Sequence, residues 1–236
     1  MLIFSAQLLD FAFNPYSILS FTGIVVNLVL IHLVLSRGLQ NTTTRWFVFF
    51  LTTLVIWGTG EFFGRISANP TAANFWSFLT APGFIIMPVA FFNFALSYVG
   101  KEHWLAGYGR RLLLFTPVLI ILFLVWNSDY ITIHRGYHQV AWGWETNPQS
   151  GPWFSLFIIW LEAHFIVALA LLINSYRKAV DQMKKKQTLT LILGLLIPLV
   201  GGTVTDAIFP IIGVSAPGPV ILLTSALGIF ATFAIL

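Results

Sequence analysis

Cysteine is absent from the 236 residues, which excludes disulfides, thiol nucleophiles and cysteine-ligated metals. Charge is nearly as scarce. Asp, Glu, Lys and Arg make up 8% of the chain, against about a quarter in soluble domains. Met1–Asn14 carries neither a basic leader nor a small-residue cleavage site, so a short interfacial helix is expected there rather than a cleaved signal peptide. What fills the chain is apolar: 58% of residues, more than one core could hide from water. A bilayer must be the solvent.

Runs long enough to cross about 30 Å of hydrocarbon occur at Ser17–Ser36, Arg45–Gly64, Trp76–Val99, Arg111–Asn127, Trp153–Tyr176, Thr188–Phe209 and Gly218–Leu236. The expected fold is therefore an all-α seven-transmembrane helix bundle, and residues 1–236 read as one such domain. Loops after the first, third and fifth runs hold ten of the twelve cations, leaving Arg65 and Arg135 on the opposite side. Positive loops stay cytoplasmic, so the amino terminus is expected outside and the carboxyl terminus in the cytoplasm, with the plasma membrane as the location.

Between Asn127 and Trp153 lies the one long loop. Apolar residues alternate at Tyr130, Ile131 and Ile133 and again at Val140, Trp142 and Trp144, with a turn expected at His134-Arg135-Gly136. That pattern predicts a β-hairpin over Ile131–Trp144, lying across the mouth of the bundle.

Ionisable groups inside spans are expensive and so mark sites or buried bonds. Glu61 has Arg65 four residues on, a helical ion-pair spacing, and Trp57 one turn deeper on the same face. Two readings stand: a plain surface pair, or a polar tip above an aromatic wall in a ligand pocket. Asp206, between Thr203 and Thr205 near an outer end, either caps a loop or lines the same mouth. Glu162 lies about 14 Å below the outer surface at about 1.5 Å per residue, too deep to snorkel. It is expected to face the interior, as an inter-helix hydrogen bond or a ligand contact. Trp160 and His164 sit about 200° around the helix from it, so the two sets are not expected to share the bundle centre. Trp57, Glu61, Trp142, Glu162 and Asp206 are the candidate ligand-binding residues. His32 and His164 differ in depth, which argues against a haem, and no cofactor or metal site is expected. Gly60-x-x-x-Gly64 reads as tight packing.

The order of residues from the second span onward resembles a known family. Ile56-Trp57, then Pro88, then Phe94-Ala95-Leu96-Ser97-Tyr98-Val99-Gly100, Trp126-Asn127, Lys186-Gln187 and Gly194-Leu195-Leu196-Ile197-Pro198 are similar in kind and spacing to the amino-terminal seven-transmembrane sensor region of prokaryotic histidine kinases. The resemblance runs from about Ser17 to the end. It implies a sensory input module of a two-component system, whose last helix leads into a cytoplasmic kinase, PAS domain or diguanylate cyclase. The expected function is therefore detection of a small ligand in an outer-leaflet pocket under the long loop, with the signal passed through the seventh helix. In relatives the full protein works as a homodimer. The last run ends at Leu236 without a basic flank, so a longer protein is expected, the output domain being absent here and any enzymatic activity lying outside this chain. Membrane lipids and an unidentified small molecule are the expected partners, and no nucleic acid is. The alternative is a small-solute transporter or channel. Against it, Pro148-Gln149 is the sole Pro-Gln pair and no internal repeat is found. The absence of lysine from the seventh run excludes a retinal protein, and no Gly-x-Ser-x-Gly or His-Glu-x-x-His motif supports a membrane enzyme.

Overall fold

The computed structural model describes residues 8–39, 41–105, 107–209 and 220–235. Within them run seven helices: α1 Ser17–Ser36, α2 Thr42–Ile66, α3 Pro70–Tyr98, α4 Tyr108–Asn127, α5 Phe154–Lys178, α6 Gln182–Gly202 and α7 Val220–Ile235. A short 3₁₀ turn, Glu102–Leu105, joins α3 to α4, and α6 continues into a π-helical turn over Thr203–Ile208. The first six helices, α6 with its extension, are long and apolar enough to span a bilayer.

Hydropathy locates the part of each helix in hydrocarbon, and the caps fix where the helix begins. Asn41 Oδ1 accepts from Thr44 N at 2.7 Å, Asn69 Oδ1 from Ala72 N at 2.9 Å with Pro70 at the first turn, and Asp181 from Met183 N and Lys184 N. These side chains replace the missing carbonyl partners of the first turn. They start α2, α3 and α6 three to six residues ahead of the apolar runs. Inside the spans several hydroxyls bond back to the preceding turn, as Thr52 to Val48 O and Thr232 to Gly228 O do, which satisfies them without water.

The helices pack as a ring in the order α1–α2–α3–α5–α6–α7 and back to α1, with α4 leaning on the outside of α3. Helix α3 is central and buries residues along its whole length, whereas on α4 the buried residues are Val118 and Ile121. The rest of α4, including Leu112, Leu113 and Phe123, is exposed apolar surface suited to lipid. Between α2 and α3 the backbones nearly touch. A Cβ on Gly83 would lie 2.6 Å from Thr53 O and 2.8 Å from Trp57 Cα, and one on Gly60 would lie 2.8 Å from Thr80 N. Small residues allow that approach, which is how membrane helices gain contact where burial from water offers nothing. Gly60 thus packs within the chain, as its motif predicted. Phe47, Phe50, Phe91 and Phe94 close the core beside that seam, with ring centroids 5.1 to 6.4 Å apart.

The long loop is a hairpin of β1 Thr132–Val140 and β2 Gly143–Ser150, antiparallel. Its turn falls at Ala141-Trp142, with Gly143 at φ +120°. His134-Arg135-Gly136, expected to be the turn, lies instead where the register slips by a bulge between His134 and Tyr137. Gly136 also has positive φ, and a bulge uses that freedom as readily as a turn. Of the helix expected within Met1–Asn14, residues 1–7 lie outside the described residues and Leu8 is helical, while the chain beyond it is not. Ala12 N donates to Ile66 O and Ala68 N to Asp10 O, so residues 10–12 run extended along the end of α2.

Candidate functional site

At the hairpin end of the bundle the tip of β1–β2 lies over the seam between α2 and α3. Trp144 Nε1 donates to Ser67 O at 2.7 Å, Tyr137 Oη to Asn74 Oδ1 at 3.1 Å, and Asn14 Nδ2 to Ala141 O at 3.3 Å. Gly143 sits against the backbone of Arg65, where a Cβ would lie 2.9 Å from Arg65 Cα. Burial pushes the Tyr137 phenol above its ordinary value, which keeps it protonated and donating.

Under this roof lies a cleft of about 250 Å³. One wall is Gly60, Glu61, Gly64 and Arg65 on α2; the other is Ala73, Ser77 and Thr80 on α3; Tyr137, Trp142 and Trp144 close it from above. Residues 73, 77 and 80 recur at helical spacing opposite the two glycines, so the same small side chains that let the helices approach leave room once they diverge.

Arg65 is the hub. Its Nη2 pairs with Glu61 Oε1 at 2.5 Å and its Nη1 donates to Trp142 O at 3.0 Å. One guanidinium therefore ties the wall carboxylate to the roof. Both side chains are largely buried, 11% and 17% exposed. The Ser20 hydroxyl of α1, buried like the carboxylate, is the other polar group beside Glu61.

The cleft gathers some of the candidate residues and leaves others elsewhere. Glu61 and Trp142 line it together. Trp57 shares the helical face of Glu61, but α3 covers it at Gly83, and its ring meets Phe84 at 5.2 Å below the cleft. Glu162 lies on α5, half-buried, and Thr203 Oγ1 of α6 is 2.9 Å from its Oε1. It faces the neighbouring helix rather than the cleft. The opposition between Glu162 and the Trp160–His164 pair resolves differently from expectation. The buried stripe of α5 is Phe157, Leu161, Phe165, Ala168 and Leu172, and the two sets flank it on either side. Trp160 and His164 meet edge to face at 4.7 Å and His164 meets Phe92 of α3, while Glu162 turns toward the end of α6. The backbone of Asp206 lies in the π-helical turn, and its side chain is outside the described residues.

Tyr137, Ser77 and Thr80 were not singled out from the sequence. The small stripe Ala73–Ser77–Thr80 facing Gly60-x-x-x-Gly64 is the signal that would have found the helical ones. Asn27 was also missed. It is fully buried in α1 and donates to Ser225 Oγ of α7 at 2.9 Å.

An all-helical membrane bundle of seven helices with a roofed cleft at one end defines a multi-pass membrane domain with no soluble core of its own. The family model for the N-terminal seven-transmembrane region of histidine kinases matches residues 18–235, and the chain belongs to that family. Its role is accordingly that of a membrane sensory region rather than a catalytic one. No curated protein matches the chain.

Proposed function

We propose that this domain detects a small molecule in the cleft beneath the hairpin and passes the signal through α7 to a cytoplasmic output domain. The supporting observation is the double engagement of Arg65, which holds both Glu61 and the carbonyl of Trp142. A ligand that presents a cationic or hydrogen-bond-donating group to Glu61 competes with Arg65 and so loosens the roof. The binding event and the movement then share one side chain. Aromatic rings at Tyr137, Trp142 and Trp144 beside a carboxylate suit a cation or a small amphiphile better than an anion.

On this reading Glu61 and Trp142 are ligand contacts, Glu162 is a bond between α5 and α6, and the hairpin faces the outside of the plasma membrane. Reporter fusions after Lys101 and Lys185 are expected to be active in the cytoplasm, and one after Thr146 outside. The ligand test is a thermal-shift screen of small amines, zwitterions and neutral polyols on the purified domain. Hits are expected among compounds with a cationic group, and to disappear in Glu61→Gln and in the Trp142→Ala/Trp144→Ala double variant. Hits that persist unchanged in both variants would place the sensing site elsewhere.

A further inference from the structure

A second and larger cavity, about 490 Å³, opens at the other end of the bundle, where the cationic loops gather. It lies between α2, α3, α4 and the 3₁₀ turn. Trp46, Leu96, Leu114 and Phe115 form its walls, and Trp46 and Phe115 stack across it at 6.4 Å. At its rim stand Arg111, His103 and Glu102, with Lys101 and Arg110 adjacent in sequence. The balance of residues 101–111 is positive, although Lys101 and Arg110 both turn to Trp104 and Arg111 is the cation on the cavity itself. At depth stands Asn93, 4% exposed. Its Nδ2 spends one hydrogen on Val89 O at 2.8 Å. The second N–H and the amide oxygen have no partner among the described residues, although the side chain lines the cavity. A polar group so placed in hydrocarbon is costly unless something satisfies it. Asn93 is five residues before the end of α3 at Tyr98, so it lies about 8 Å below the helix end at about 1.5 Å per residue.

These features match the parts of one kind of molecule. A cationic rim, an amide one and a half turns deeper, and an apolar, aromatic-walled space in a peripheral seam correspond to the headgroup, the ester neck and a chain. Water-filled alternatives fit less well because the walls are almost wholly apolar. The loose contact of α4, whose buried residues are Val118 and Ile121, gives a route from the bilayer. We propose that this cavity is a binding site for one anionic phospholipid from the leaflet at the basic end. Its phosphate lies on Arg111 and His103, an ester carbonyl accepts from Asn93, and an acyl segment lies along the edges of Trp46 and Phe115. The site is independent of the cleft under the hairpin, and it makes the seating of α4 on α3 sensitive to membrane composition.

The test uses the full chain in nanodiscs of phosphatidylcholine into which brominated phosphatidylglycerol or brominated phosphatidylcholine is titrated. The quenching belonging to Trp46 is taken as the difference between the parent and Trp46→Phe. Brominated phosphatidylglycerol is expected to quench Trp46 saturably at low mole fraction, and brominated phosphatidylcholine only in proportion to its abundance. Arg111→Gln is expected to weaken the saturable phase about tenfold, the loss of one charge-assisted hydrogen bond, and Asn93→Leu to weaken it as well. Arg111 is exposed, so its variant carries the test should Asn93→Leu fail to fold. Inorganic phosphate at millimolar level should not displace the lipid; displacement would mean a free-anion site and overturn the lipid assignment. Equal quenching by the two lipids, or a saturable phase unchanged in Arg111→Gln, would overturn it too.

Discussion

Replacing Arg65 by Gln tests the hub of the roofed cleft directly. The guanidinium makes a largely buried ion pair with Glu61 and a charge-assisted bond to Trp142 O. A hydrogen bond to a charged group is worth about 1.5–3 kcal/mol, and leaving a buried partner charge unpaired costs about 3–5 kcal/mol. The cleft is open to solvent and softens the second cost, so about 2–3 kcal/mol is expected for Arg65→Gln. Once Arg65 is gone the buried carboxylate keeps only the neutral Ser20 hydroxyl beside it, which does not balance its charge. Removing that carboxylate as well should return part of the loss. The Glu61→Gln/Arg65→Gln double variant is therefore expected to be more stable than Arg65→Gln alone, with a coupling of about 1 kcal/mol or more. Reversible unfolding in mixed micelles gives the cycle, and protease nicking within residues 132–150 gives a separate measure of the roof. If Arg65→Gln unfolds like the parent, or if the two substitutions add independently, the pair does not hold the cleft as described.

Other positions give sharper yes-or-no outcomes. Gly83→Ala gains about 1 kcal/mol of helix propensity but drives a methyl into the backbone of α2; a net loss of about 1–2 kcal/mol is expected, and a stabilised variant would refute the close approach. Glu162→Gln should melt like the parent because the amide still meets Thr203, whereas Glu162→Leu should lose about 1 kcal/mol, the scale of inter-helix hydrogen bonds in membranes; equal melting of both would show the bond to be idle. For Tyr137, burial raises the phenol, so its contribution to the roof is complete below the ordinary value near about 10 and is lost as pH rises through the raised one. Hairpin tryptophan fluorescence followed from about pH 8 to about pH 11 should diverge between parent and Tyr137→Phe, and superimposable profiles would remove the phenol from the account.

Much of the architecture was legible because a bilayer imposes a simple rule. Hydropathy placed α1 at Ser17–Ser36, as observed, and found the other six helices with their apolar centres correct. It missed the polar first turns, although Asn41, Asn69-Pro70 and Asp181 advertise them to a reader of caps. Alternation revealed the hairpin. It misplaced the turn because Gly136 and Gly143 both have positive φ and only pairing decides which is the bulge. The site was half legible. Glu61 and Trp142 meet in the cleft, because charge in a span and tryptophan in the one long loop are each conspicuous. Trp57 and Glu162 fall elsewhere because a residue's face on its own helix does not say which neighbour covers it. Gly83 on α3 decides the fate of Trp57, and Thr203 on α6 that of Glu162.

The bonds between helices differ in kind around the ring, and the difference bears on where a sensory domain can move. The α2–α3 seam is backbone against backbone at Gly60 and Gly83 with interlocked phenylalanines beside it. A shift of even a fraction of an ångström there meets steric resistance, because packed surfaces of this kind have discrete fits. Elsewhere in the ring single polar contacts add to the packing: Asn27 to Ser225 between α1 and α7, Tyr98 to Thr188 between α3 and α6, and Glu162 to Thr203 between α5 and the turn that continues α6. Such bonds in membranes contribute about 1 kcal/mol each and can be exchanged for others nearby. Lys184, lying 3.7 Å over the Tyr98 ring at the basic end of α6, adds a contact of the same exchangeable sort. The stiff pair α2–α3 carries the roofed cleft, and α6–α7, itself close-packed where Gly194 meets Phe230, is the pair the proposal assigns to output. A signal would then pass from one rigid pair to another through the exchangeable polar contacts between them, with Asn27–Ser225 as the one that reaches α7.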